Sequence, residues 1–163
     1  MISPNYLKEG ATVAIVSTAR KISKKELIPA ITILKKWGLK VVLGKSIEAE
    51  EHQFAGNDKL RTSDFQAILD HPEIDAVWCA RGGYGTVRII DQLDFSNFKK
   101  HPKWIIGFSD VTVLHSHIHQ LGIETLHAQM PVSIETKSKA TINSIKAILF
   151  GEHYGIRIPA ENN

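Results

Sequence analysis

The segment WIIGFSD, residues 104–110, decides the fold of this chain. It begins with three apolar residues, and Gly107 then ends the apolar run just before Phe108, Ser109 and Asp110. Apolar side chains follow at helical spacing: Val113, Leu114, Ile118 and Leu121. A short apolar run, a glycine turn and an amphipathic stretch in this order predict a strand, a turn and a helix.

The same alternation of strand and helix runs through the rest of the sequence. Further strands are predicted at residues 11–17, 40–43, 74–80 and 123–126. Further helices are predicted at residues 27–37, 57–69, 87–93 and 141–150. Ser23 and Glu26 have the spacing of a capping box, but Pro29 conflicts with a helix that starts at Lys24, so we expect the regular helix to begin near Ile28.

This alternation predicts an α/β fold with a doubly wound, mostly parallel sheet and flanking helices. Such a fold is a three-layer sandwich, of the flavodoxin-like or class I glutamine amidotransferase-like type. Right-handed crossovers place every strand-to-helix turn along the carboxyl edge of the sheet, where these folds bind ligands. Both glycine-rich turns, after Ala80 and after Ile106, are therefore expected at that edge.

Length and composition restrict the class of protein. The chain has 163 residues, of which 43% are apolar and 23% are charged, as in one folded domain. Cys79 is the single cysteine, so no internal disulfide forms, and neither a signal peptide nor a membrane-spanning run is recognisable. We therefore expect a cytoplasmic protein without a membrane partner.

Charge gives little indication of a partner. The formal net charge is +3, and no aromatic residues are interspersed in the densest basic cluster, Arg20, Lys21, Lys24 and Lys25, so nucleic acid is not an expected partner. The cluster is typical of a solvated surface, and attraction of an anionic substrate is the alternative interpretation.

The turn at Ser109 resembles a nucleophile elbow, which exposes a serine above the sheet and points the next backbone N–H at an oxyanion. Gly107 stands two residues before the serine as the elbow requires, but Val111 occupies the later position where glycine is usual. The alternative is that Ser109 or Asp110 only caps the following helix.

The turn RGGYG, residues 81–85, holds three glycines in five residues. Its spacing matches neither the dinucleotide fingerprint nor the phosphate-binding P-loop. An anion cradle or a second oxyanion donor remains open, as does a simple tight turn.

These motifs together resemble the LD-carboxypeptidase family, which includes muramoyl-tetrapeptide carboxypeptidases and microcin C immunity peptidases. The resemblance rests on RGGYG at 81–85, on PKWIIGFSDVT at 102–112 and on FAGND at 54–58, and it extends from about Val13 to about Pro131. Ser17-Thr18-Ala19 departs from the proline–serine that is usual after the first strand in the family.

The resemblance implies a serine peptidase that releases D-alanine from murein peptides in cell-wall recycling without a metal or cofactor. It makes Ser109 the nucleophile, with the backbone N–H of Asp110 and an N–H of Gly82 or Gly83 as the oxyanion hole. Arg81 and Tyr84 of the turn at residues 81–85 are candidate substrate-binding residues, as is His127 at the end of the fifth strand.

In the family, the glutamate and histidine of the triad lie in a C-terminal domain. We expect residues 1–150 to be the nucleophile-bearing domain and residues 151–163 to begin an interdomain linker, so that this chain alone is inactive. His115 and His119 share one face of the predicted helix without the acidic residue of a zinc motif, and we expect structural histidines that point away from Ser109.

Three functions stay open. The chain is part of a murein tetrapeptide carboxypeptidase, part of a microcin-immunity peptidase that acts on aminoacyl-nucleotide analogues, or a ligand-binding domain without catalysis. The resemblance also suggests a homodimer.

Overall fold

The structure, a computed structural model, describes residues 1–155 and contains one parallel sheet flanked by helices. The strands are β1 Thr12–Val16, β2 Lys40–Leu43, β3 Ala76–Cys79, β4 Trp104–Gly107 and β5 Leu126–His127. The helices are α1 Lys24–Lys36, α2 Asp58–Asp70, α3 Ser96–Lys100, α4 Thr112–Gln120 and α5 Lys139–Leu149. The strand order is β2-β1-β3-β4-β5, which is the flavodoxin-like order, so the predicted fold class is confirmed.

Two apolar cores cover the two faces of the sheet. Leu27 and Leu34 of α1 and Leu149 of α5 pack on one face. Helices α2, α3 and α4 pack on the other face, and Phe65 and Phe98 are among their buried side chains. Strands β1, β3 and β4 are therefore packed on both faces, and the candidate site residues lie in the turns at the carboxyl edge.

Helix α1 begins earlier than expected. The capping box of Ser23 and Glu26 is present, and the helix starts at Lys24 with Pro29 inside it, so the expected start near Ile28 is wrong. The carbonyl that loses its partner to Pro29 belongs to Lys25, which is exposed, so water can hydrate it in place of the missing N–H.

The helix expected at residues 87–93 is also absent. Two short 3₁₀ turns, Thr86–Arg88 and Ile90–Gln92, take its place. Gly85 has φ +153°, and the N–H of Thr86 bonds to the Asp110 carboxylate, so this segment is drawn towards the neighbouring turn instead of continuing as a helix.

The fifth strand lies later than expected, at Leu126–His127 instead of 123–126. Ile123 forms an isolated parallel bridge with Ile2, whose N–H donates to Gly122 O at 2.7 Å. The segment at Ile123 therefore pairs with Ile2, which is more than a hundred positions away in the chain. The local sequence pattern cannot predict such a distant partner.

The predicted linker falls only partly on the described residues. Helix α5 ends at Leu149, and residues 151–155 contain neither helix nor strand, while residues 156–163 lie outside the described part. Within residues 1–155, no helix is both long enough and apolar enough to cross a membrane.

Candidate active site

The turn after β4 holds Ser109 in an uncommon backbone conformation. Strand β4 is buried along its whole length, and Phe108 continues it in an extended conformation. Ser109 then adopts φ +60°, in the left-handed region, and the exposed serine opens a 3₁₀ turn that leads into α4. A non-glycine residue in this region costs about 1–3 kcal/mol and occurs preferentially at functional sites.

Gly107 explains how the turn closes so tightly. A Cβ atom added to Gly107 would lie 2.9–3.1 Å from the side-chain carbons of Val111, which is fully buried. Glycine before the serine therefore leaves room for Val111 after it. The departure from the usual elbow pattern at position 111 is accommodated by packing.

The second glycine turn lies directly against the serine turn. A Cβ atom added to Gly82 would be 3.4 Å from both the backbone nitrogen of Asp110 and the Cβ of Ser109. Gly83 follows with φ +118°, and a Cβ atom there would overlap the Arg20 side chain. The structure thus brings the predicted nucleophile and the predicted oxyanion residues together.

Hydrogen bonds join the two turns. The Thr86 N–H donates to Asp110 Oδ2 at 2.9 Å, and the buried hydroxyls of Thr86 and Thr18 bond at 2.8 Å. Asp110 thereby has a side-chain role that the sequence did not indicate, because its partner lies 24 residues away in another turn.

Arg61 of α2 is a further residue that the sequence analysis missed. It is fully buried, and its Nη1 donates to Thr18 O at 2.6 Å and to Gly85 O at 3.0 Å. Its Nε donates to Gly56 O at 3.3 Å, and its Nη2 pairs with Asp58. One guanidinium therefore ties together the loops after β1 and β3 and the loop before α2. Its position in the sequence could have indicated burial, because Arg61 lies four residues before Phe65 and therefore on the same inward face of α2.

Asp58 joins the buried Arg61 to the exposed Arg88. The Arg88 Nη2 donates to Asp58 Oδ2 at 2.7 Å. The hydrogen bond from Arg88, followed by the charges of Arg61 and Arg88, lowers the pKa of Asp58 below its usual value. Asp58 therefore stays ionised as the acceptor of two arginines.

The three candidate substrate-binding residues take different positions around the turns. Arg81 is half-buried and donates to Lys21 O at 3.2 Å. Its Nη1 lies 3.9 Å from Glu26 Oε1. Tyr84 is 52% exposed. His127 is exposed at the end of β5, beside the serine turn, with its ring centroid 6.2 Å from that of Phe108.

His115 is buried, but its ring turns back towards the end of β4 instead of pointing away from the serine turn as expected. Its Nε2 lies 2.9 Å from the carbonyl oxygen of Gly107, two residues before Ser109, and its buried Nδ1 has no hydrogen-bond partner within residues 1–155. Because a carbonyl only accepts, Nε2 carries the proton in this contact. Burial lowers the pKa of His115, so the folded protein favours the neutral ring.

We predict that His115 makes the fold sensitive to acid. Since its folded pKa lies below the unfolded value of about 6.5, the unfolded chain binds more protons as the pH falls below about 6.5, and the free energy of unfolding decreases. Urea denaturation from pH 7.5 to 5 measures this decrease. His115→Gln, which keeps a donor for Gly107, should flatten it, whereas His119→Gln, an exposed residue of the same helix, should not. Equal slopes for all three proteins would contradict the assignment.

Cys79, the single cysteine, is the last residue of β3. It is fully buried in β3, and burial raises the pKa of its thiol to about 12. The thiol is therefore protonated at neutral pH and is not a nucleophile.

Comparison with known protein families shows which family this chain belongs to. The family profile described as the LD-carboxypeptidase N-terminal domain matches residues 13–128. The chain belongs to the LD-carboxypeptidase family. The match contains both glycine turns and the whole of the sheet except the first residue of β1.

Individual relatives agree with this membership. A probable murein peptide carboxypeptidase of Bacillus subtilis is 41% identical over 128 residues, which are 78% of this chain and 40% of that protein. The murein tetrapeptide carboxypeptidase of Pseudomonas aeruginosa is 33% identical over 123 residues, 75% of this chain and 40% of that protein.

A third relative is the microcin C7 self-immunity protein MccF of Escherichia coli. It is 28% identical over 125 residues, which are 74% of this chain and 36% of that protein. A structure of MccF with aspartyl sulfamoyl adenosine matches with a TM-score of 0.85 at 23% identity and covers 96% of this chain and 50% of that one. The structural likeness shows the shared fold. This member of the LD-carboxypeptidase family spans half or less of the length of these relatives.

Proposed function

We propose that this chain supplies the nucleophile and the oxyanion hole of a serine LD-carboxypeptidase. The substrate is a murein tetrapeptide, and the reaction hydrolyses the amide that joins its terminal D-alanine. One observation carries the proposal: Ser109 is exposed with φ +60° at the carboxyl edge of the sheet, against the backbone of Gly82. A turn that only capped α4 would not need a strained serine.

In the proposed reaction, Ser109 Oγ attacks the carbonyl carbon of the scissile amide, and a histidine takes its proton. The N–H of Asp110 and an N–H of the Gly82-Gly83 turn stabilise the oxyanion, assisted by the N-terminus of α4. The histidine then protonates the leaving amine of D-alanine, and water hydrolyses the acyl-serine ester. No metal or cofactor takes part in these steps.

The histidine and its orienting glutamate are proposed to come from a second domain outside these 163 residues. The support is that the family profile is that of an N-terminal domain and that the chain covers 40% of the two carboxypeptidases. Residues 1–150 would then form the nucleophile-bearing domain, and residues 151–163 would begin the linker. Cytoplasmic location and homodimer formation stay predictions, the latter checked by light scattering.

The test compares the chain alone with a two-domain protein. We expect purified chain to release no D-alanine from murein tetrapeptide, because Ser109 lacks its base. Fusion to the C-terminal part of the Bacillus subtilis relative should produce release, measured by chromatography of the products. Release by the chain alone that Ser109→Ala removes would contradict the need for a second domain. A fused protein that cleaves only an aminoacyl sulfamoyl adenosine would instead favour the microcin-immunity function.

A further inference from the structure

A basic cavity lies beside the proposed oxyanion turn. It has a volume of about 430 Å³ and is lined by Arg20, Lys21, His52, Gln53 and Arg81. Three of these five side chains are permanent cations, one is a histidine and one is an amide, and no carboxylate of the described residues lines the cavity. The proposed chemistry at Ser109 does not use this cavity.

The charges around the cavity leave one cation available. Lys21 pairs with Glu50, and Arg81 lies 3.9 Å from Glu26. Arg20 is exposed and takes part in no ion pair within residues 1–155. An anion that enters this cavity therefore finds a guanidinium without a competing carboxylate.

A second cavity, which shares Lys21 and Arg81 with the first, has the opposite character. It has a volume of about 400 Å³, and its lining includes Glu26, Glu48 and Glu50. Because these carboxylates repel an anion, an anionic ligand is favoured in the cavity that Arg20 lines and not in this one.

The backbone connects the basic cavity to the oxyanion turn and holds its walls in place. The Lys21 N–H donates to Gln53 O at 3.0 Å, and Arg20 forms an antiparallel bridge with Phe54. The Arg20 side chain packs on Gly83, where any Cβ atom would overlap it. The cavity and the turn are therefore in direct contact through Arg20 and Gly83.

We propose that this cavity is a subsite for a carboxylate of the substrate that takes no part in the amide that is cleaved. Arginine binds carboxylates through paired N–H donors, and Arg20 is the principal donor here. The subsite rests on the proposed function, since it selects an acidic peptide and orients it along the edge that carries Ser109.

The first experiment needs no catalysis. ¹⁵N-labelled chain is titrated with glutarate at constant ionic strength, and backbone amide shifts are followed by NMR. The expected shifts occur at residues 20–21, 52–53 and 81–83. Arg20→Gln should raise the dissociation constant about five-fold, the loss expected for one exposed ion pair. Lys25→Gln is the matched control, because it removes the same charge from an exposed position outside the cavity. No shift at these residues, the same shifts with sodium chloride alone, or an equal effect of both variants would overturn the subsite.

The second experiment links the subsite to the substrate. Murein tetrapeptide should shift the same amides, and the tetrapeptide with its free carboxylates amidated should not. Binding of glutarate without binding of the tetrapeptide would overturn the assignment to this substrate. Neither outcome depends on Ser109, whose replacement tests the proposed function separately.

Discussion

Replacement of Ser109 by alanine in the two-domain fusion should lower kcat for D-alanine release by about four to six orders of magnitude. Alanine removes Oγ, so no acyl-enzyme forms, while the strained turn, Gly82 and the Asp110 N–H stay in place. What remains is the smaller contribution of the oxyanion hole and of substrate binding. KM should change little, because Oγ makes its essential contact in the transition state.

Ser116→Ala is the matched control for this loss. Ser116 is exposed on α4, seven residues further along the chain, and its replacement should leave kcat within about two-fold, as for a surface substitution without partners. A serine-directed phosphonate should label the fusion and the Ser116→Ala variant but not Ser109→Ala. Unchanged kcat or labelling in Ser109→Ala would exclude Ser109 as the nucleophile and would favour a ligand-binding domain.

The parts of this site that the sequence predicted follow from one geometric rule. Parallel strands β3 and β4 are neighbours, so the turns that follow Cys79 and Gly107 meet at the same edge of the sheet. Apolar periodicity located the strands, and glycines located the turns. The pattern thus placed both turns at one edge, and the family resemblance implied that Gly82 lies close to Ser109, as the structure has it.

The parts that the sequence did not predict depend on partners far along the chain. Thr86 leaves the helical path because its N–H bonds to the carboxylate of Asp110, and Ile123 pairs with Ile2. Neither contact can be predicted from local helix and strand propensities. Arg61 was missed for the same reason. A charged residue on an apolar helix face is stable there only because distant backbone carbonyls accept its hydrogen bonds, and the local sequence does not show them.

Arg61→Met should lower the free energy of unfolding by at least about 3 kcal/mol, because about 1–3 kcal/mol is lost for each buried carbonyl left without a donor. The carbonyls of Thr18 and Gly85 lose their hydrogen bonds from Nη1, and the carbonyl of Gly56 loses its hydrogen bond from Nε. Urea denaturation of the chain measures the loss.

Arg88→Met provides the comparison that separates these carbonyls from simple loss of charge. Arg88 also binds Asp58, but its side chain is 43% exposed and bonds to no carbonyl of the turns, so its replacement should cost less than about 1 kcal/mol. Arg61→Lys keeps the charge but cannot donate to all three carbonyls. Its loss of free energy of unfolding should lie between those of Arg61→Met and Arg88→Met. Amide shifts at residues 82–86 should follow the same order, because Gly85 O is the point at which Arg61 holds the oxyanion turn. Equal losses for Arg61→Met and Arg88→Met would mean that the ion pair with Asp58, and not the support of the turns, is what Arg61 contributes.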